Sequence, residues 1–209
     1  MRGVKLFGVG IKDNDDITQL ENKDRSSGRK VVWRCPYYQT WMSLLRRSYS
    51  DIFKNKSKTY VGVVADERWH YFSSFKEWMQ QQDWEGKDLD KDLIVRGNKI
   101  YGPDTCCFIT ERLNTEITHL KRKDKGLLGA SFKKKNRKYQ SQILIEGKKI
   151  YLGLYDSELD AHLKWLDEKI KRILEIKQYE NKEVHKHVDK LLEEMQRCLD
   201  NKIEFYWYE

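Results

Sequence analysis

The chain reads as an α+β protein: a strand, loop, strand and helix, then a three-stranded antiparallel sheet packed on one helix, then a C-terminal amphipathic helix. Three patterns predict this. Lys138 to Ile145 alternates in side-chain character with a period of two, as a half-buried strand does. Leu159, Leu163, Leu166, Ile170 and Ile173 recur at helical spacing, and so do Val184, Val188, Leu191, Leu192, Met195 and Leu199. Between Leu89 and Asn114 a short apolar lead, a turn at Lys99-Ile100-Tyr101-Gly102-Pro103 and an apolar run from Cys106 to Ile109 precede a polar helical start.

Composition narrows the class. With 209 residues, 39% of them hydrophobic and 12% aromatic, the chain can bury one large core or two modest ones. The formal charge is +8, and it is uneven: Lys121 to Tyr155 holds 11 Lys and Arg against 2 Asp and Glu, so the remainder is close to neutral. Basicity confined to one module points to a face for a polyanion. Cys35, Cys106, Cys107 and Cys198 form no C-x-x-C pair and have no His at zinc-finger spacing, so neither a structural zinc nor a disulfide framework is expected. Buried thiols of a reducing cytoplasm are the expectation instead. No apolar run has the length of a membrane span, and the glycine-broken Val4 to Ile11 run is unlike a secretory signal.

Along the chain, residues 1 to 12 alternate as a strand, and Lys12 to Lys30 is polar enough for a loop or arm. Pro36 suits a first helical turn, followed by Tyr37, Trp41, Leu44, Leu45, Ser48 and Tyr49 at helical spacing. Arg46, Arg47, Lys54, Lys56 and Lys58 form a small basic cluster that either touches phosphate or is a solvated helix end. Tyr60 to Val64 is a β-branched run, and Ser74-Phe75-Lys76-Glu77 has capping-box spacing for a helix through Trp78 and Met79. Trp69, Trp78 and Trp84 are expected to anchor the core under the Asp90 hairpin. The charged connector from Lys121 to Gly126 is the expected boundary, giving regions 1–120, 126–175 and 181–209. Gly129 to Phe132, Lys138 to Ile145 and Ile150 to Tyr155 are the strands of the second region, joined by the basic Lys133 to Arg137 turn and by Glu146-Gly147-Lys148. Tyr139, Ser141, Ile143 and Ile145 share the face that the following helix covers; Gln140, Gln142 and Leu144 lie on the open one. The last helical stripe packs on this chain or forms a weak dimer seam, and the Phe205 to Tyr208 cluster docks as a tail or marks a contact surface. His185 and His187, two apart on a helix, do not face one another.

The chemistry centres on Leu89 to Asn114, where Asp90 and Asn114 can offer two hard oxygens to one Mg²⁺ or similar divalent ion. Here the run Pro103-Asp104-Thr105-Cys106-Cys107-Phe108-Ile109-Thr110-Glu111-Arg112-Leu113-Asn114 resembles the HNH-type, or ββα-metal, nucleases of phage-borne homing endonucleases. Residues 31 to 84 resemble the region that precedes this motif in such phage proteins. The resemblance implies that Asp90 and Asn114 hold the metal. It also places Lys91 where the family has its general-base His, and Thr105 where it has its middle Asn. Lys91 in that position is a cation for the scissile phosphate rather than a base; His119 is the nearest His in sequence after Asn114.

Residues 126 to 172, with Gly129-Ala130-Ser131-Phe132, Lys138-Tyr139, Tyr151-Leu152-Gly153 and Ser157-Glu158-Leu159-Asp160-Ala161, resemble the AP2 DNA-binding domain. By that resemblance Ser131, Lys133, Gln140, Gln142, Lys149 and Tyr151 face the major groove of double-stranded DNA. Lys134, Lys135, Arg137 and Lys148 flank it at the phosphates. Gln suits adenine, and Lys suits guanine or phosphate. The resemblances imply a cytoplasmic location in a phage-infected host. Two readings of activity stay open: a metal-dependent endonuclease or nickase, and a DNA-binding protein that does not cut.

Overall fold

The computed structural model describes residues 5–24, 28–121 and 126–207. The chain is α+β and divides into two compact units, residues 1–108 and 109–209. The division falls inside one strand, and α4 below belongs to the second unit. The sequence boundary expected at Lys121 to Gly126 falls largely on residues 122–125, outside those described.

In the first unit β1 (Gln19–Asp24) and β2 (Gly28–Arg34) pair antiparallel, with Leu20 opposite Trp33. A loop was expected there. The ladder is made of backbone groups and needs no apolar alternation, so the polar sequence hid it. Conversely, the strand expected over residues 1–12 is absent from 5–12, because Phe7 and Gly8 have positive φ and fold the chain back so that Leu6 bridges Gly10; residues 1–4 lie outside those described. α1 (Pro36–Tyr49) starts on Pro36 and buries Trp41, Leu44, Leu45 and Ser48, all at helical spacing. Ser50 ends it and caps the short α2 (Asp51–Lys56), accepting the Phe53 N–H.

The run from Tyr60 to Val64 contributes only its last residue to a strand, since Gly62 at φ 78° turns the chain. That strand, β3 (Val64–Ala65), is followed by α3 (Phe72–Gln80), which begins before the expected capping box. Its first-turn donors are met from sixty residues upstream: Asp13 accepts the Ser73 backbone N–H at 2.9 Å and also the Ser73 hydroxyl. β4 (Lys87–Asp90), β5 (Ile100–Tyr101) and β6 (Cys107–Thr110) follow, with β4 beside β6 and β5 parallel to β3. The core gathers Trp41, Leu44, Leu45, Trp69, Phe72, Phe75, Met79, Tyr101 and Phe108. The Trp41 indole donates to the Trp69 carbonyl at 2.8 Å, and Trp78 packs between Trp69 and Phe108.

In the second unit α4 (Glu111–Leu120) is capped by Thr110, whose hydroxyl accepts the Leu113 N–H. Buried Glu180, seventy residues on, accepts both the N–H and the hydroxyl of Thr110. β7 (Ala130–Lys133), β8 (Lys138–Ile145) and β9 (Lys148–Tyr155) form an antiparallel sheet in that order. Glu146 and Gly147 both have positive φ, as a two-residue hairpin turn requires. α5 (Glu158–Lys177) packs against all three strands. It buries Ala161, His162, Trp165, Leu166, Lys169, Ile170, Ile173 and Ile176, whereas Leu159 and Leu163, expected in the stripe, are half-buried.

α6 (Lys182–Asp200) packs on α5 and buries its own stripe within this chain, with Cys198 rather than Leu199 closing it. The tail returns to the core through buried Phe205 and Trp207. His162, fully buried, holds both ends of this arrangement. The Phe205 N–H can only donate, so Nε2 accepts its hydrogen bond at 3.0 Å; Nδ1 then carries the ring proton and donates to the Leu128 carbonyl at 2.8 Å.

Gly129 opens the sheet at φ 76°, and a Cβ there would lie 2.0 Å from the Trp165 ring. Gly129→Ala is expected to destabilise the protein by roughly 2 kcal/mol or more, from overpacking and left-handed strain together. Urea denaturation checks this, and an unchanged midpoint would contradict the close packing of Gly129 on Trp165.

Candidate functional site

The register of β7–β9 decides which side chains share a face. Cross-strand partners point the same way, so Ser131 opposite Gln140, Gln142 opposite Tyr151 and Leu144 opposite Lys149 place five of the six expected groove residues on one side. Lys133, two residues after Ser131 and opposite Lys138, joins them. The other parity is the covered side: Ser141 and Ile143 are buried under α5. Gln140 donates its amide to the Gln142 carbonyl oxygen at 3.1 Å, so the two amides form one polar strip along β8. Tyr151 is 60% exposed, while the Ser131 hydroxyl is shielded from solvent and has no hydrogen-bond partner among the described residues.

Of the flanking residues, Lys134, Lys135 and Arg137 are exposed in the β7–β8 turn, and Lys148 stands at the β8–β9 turn opposite Ile145, on the covered parity but at its solvated end. Lys138 was missed, although its place in the 138, 140, 142 alternation signals it. It pairs with exposed Asp156 at 3.0 Å.

The carboxylate of Asp90 is buried at the end of β4, and its Oδ1 accepts the backbone N–H groups of Asp92 at 2.9 Å and Leu93 at 2.7 Å. Two N–H donors on one oxygen fix the orientation of the carboxylate. Its charge reaches the neighbouring Tyr101 and Cys106. Burial pushes the Tyr101 phenol upward and the Cys106 thiol up to about 12, and Asp90 adds to both shifts. Cys106 is therefore a protonated, buried thiol, and none of the four cysteines forms a disulfide.

Lys91 is buried and turned away from solvent. Its ammonium donates to the Asp92 carboxylate at 2.5 Å and to the Asn98 carbonyl at 2.7 Å. Asn98 returns an N–H to the Lys91 carbonyl at 3.0 Å and another to Ile100 at 2.6 Å, so the loop from Lys91 to Ile100 is closed by side chains rather than by a ladder. Thr105 donates to the Ile100 carbonyl at 2.9 Å. Asp92 and Asn98 carry no motif of their own, and proximity to Lys91 in sequence is their only signal.

Asn114 lies half-buried one turn into α4, and His119 lies half-buried near that helix's end. Asp90 belongs to the first unit and Asn114 to the second. Among the described residues no group of three or more His, Cys, Asp or Glu side chains gathers as a metal site. No helix among the described residues is long and apolar enough to cross a membrane.

No family model matches this chain, and no curated protein or solved structure does so either. The class that the structure defines is accordingly the broad one, an α+β protein with a three-stranded antiparallel sheet backed by one helix.

The Lys91–Asp92 pair yields a test. Lys91→Met removes the cation that meets the buried Asp92 carboxylate and is expected to cost on the order of 3 kcal/mol, while Lys91→Met with Asp92→Leu recovers most of the loss. Equal destabilisation by the single and double variants, in chemical denaturation, would show that the pair is not what holds the loop.

Proposed function

We propose that the chain is a site-selective binder of double-stranded DNA, of the kind found in phage homing endonucleases with an AP2-like module, and that it lays the uncovered face of β7–β9 into the major groove. One observation carries this reading. Lys133, Gln140, Gln142, Lys149 and Tyr151 share a face by strand register, within the stretch that holds the chain's whole positive excess. Two amides and two ammonium groups on a helix-backed sheet are suited to base edges, and the exposed Lys134, Lys135 and Arg137 beside them to phosphates.

In this reading Asp90 and Asn114 are the residues that would hold a divalent ion, and their oxygens suit Mg²⁺. When bound, such an ion stabilises charge on the leaving oxygen of a phosphodiester. Asp90 is held ready by the two N–H groups on its Oδ1. Lys91 keeps the loop closed, and the proton of the attacking water passes to solvent or another group, so cleavage is slow or limited to nicking. A second reading, a DNA-binding or regulatory protein that does not cut, is favoured by the Lys91–Asp92 pair. It fills with an internal ion pair the position where a base is needed.

Binding is expected to weaken steeply with salt, and Gln140→Ala or Gln142→Ala to relax sequence preference more than Lys134→Ala does. Cleavage of the DNA of the encoding genome with Mg²⁺ or Mn²⁺, absent with EDTA and lost in Asp90→Ala, selects the endonuclease. Salt-dependent binding to DNA that stays intact selects the non-cutting protein, and no binding at all rejects both.

A further inference from the structure

The first unit carries a second cationic feature, separate from the sheet. α1 ends in Arg46 and Arg47, and both guanidinium groups lie over aromatic rings: Arg46 is 5.2 Å from the centre of Phe53 on α2, and Arg47 is 5.1 Å from the centre of Tyr101 on β5. Phe53 in turn meets Tyr60 edge-on at 5.3 Å, and Tyr60 lies close enough to the Arg47 guanidinium to act on its charge. The result is an interleaved patch of two arginines and three aromatic rings, extended by Lys54, Lys56 and Lys58, with Asp51 the one acidic residue in the 46–58 stretch.

Arg47 is the informative member. Its Nε–H donates to the Ser43 carbonyl at 3.3 Å, and its charge meets no carboxylate among the described residues, although it is half-buried. Lys91, Lys169 and Arg172 behave otherwise: Lys91 meets Asp92, Lys169 meets Glu116, and Arg172 meets Glu116, Glu146 and Glu175. A half-buried guanidinium backed by rings, with donors left over and no internal counter-ion, suits an anion from outside. The ring that backs it, Tyr101, also feels the charge of Asp90.

We propose that Arg46 and Arg47, held over Phe53 and Tyr101, form a phosphate-binding site on the first unit that receives the DNA backbone beside Asp90. The site deepens the DNA-binding reading above and rests on it for the identity of the ligand. It assigns to Arg47 the phosphate contact that the buried ammonium of Lys91 does not make. Arg47 touches the backbone and not the bases, so its contribution is the same on every sequence.

The test compares salt-dependent DNA affinity for the wild type, Arg47→Met, Arg47→Lys and Arg46→Ala, with thermal melts to verify folding. The sheet variant Lys133→Ala with Lys134→Ala and Arg137→Ala serves as reference. Arg47→Met is expected to lower the slope of log affinity against log salt by about 0.9, the value for one phosphate contact, equally on all sequences, with Arg47→Lys restoring most of it. A wild-type slope in folded Arg47→Met, with binding lost in the sheet variant, overturns this site and leaves the DNA reading standing. A reduced slope in Arg47→Met with none in the sheet variant supports the site and removes the sheet interface. If the wild type binds no DNA, titration of inorganic phosphate against the Arg47 Nε–H resonance decides: a saturable shift lost in Arg46→Ala supports an anion site, and no shift overturns it.

Discussion

One helix, α5, backs the sheet of the second unit, and the rest of that unit's surface chemistry follows from this coverage. The burial of Ser141 and Ile143 against α5 sets the parity of β8, so Gln140, Gln142 and Leu144 must point the other way. The ladder passes that choice to the neighbouring strands, to Ser131 and Lys133 on β7 and, past a register shift between Ser141 and Gln142, to Tyr151 and Lys149 on β9. A slip of one residue would drive two glutamines beneath α5 and bring Ile143 into water. The close approach of Gly129 to Trp165 at the start of β7 reinforces the same register.

Buried charge is the second theme. Lys169 lies 1% exposed beside Glu116, and Arg172 completes the cluster, so α4 and α5 are joined by an ion network inside apolar surroundings. Desolvation pulls the Lys169 ammonium below its ordinary value, and Glu116 opposes that pull. Such pairs add little net stability compared with an apolar isostere, but they are unforgiving when one member is removed, and so they fix which helices pack together. The Lys91–Asp92 pair is likewise buried in the first unit, and Lys91 and Asn98 together close a long loop with almost no ladder of its own. Against this pattern the half-buried Arg47 stands apart, since its charge meets no carboxylate among the described residues.

Much of the proposed interface was legible in the sequence, because a strand's two faces are written with a period of two and a local charge excess needs only counting. The site around Asp90 was legible in part. The order strand, loop, strand, helix could be read from Leu89 to Asn114, whereas the fate of Lys91 could not. An ammonium beside a motif reads as available for phosphate, and only the fold shows its donors spent on Asp92 and Asn98. The β1–β2 hairpin was hidden for a related reason: its backbone pairing leaves no mark in a polar sequence.

The sequence by itself determined the helices α1, α5 and α6, the three strands of the second unit and the parity of their faces, since each depends on residues at most four positions apart. The tertiary structure alone decided that Asp13 caps α3, that Glu180 holds the start of α4, that β3 lies parallel to β5, and that His162 anchors the tail through Phe205. Those contacts join groups far apart in the chain, and they use single carboxylates, backbone amides and one imidazole. Such groups have no periodicity to announce their partners, so only the folded chain could pair them.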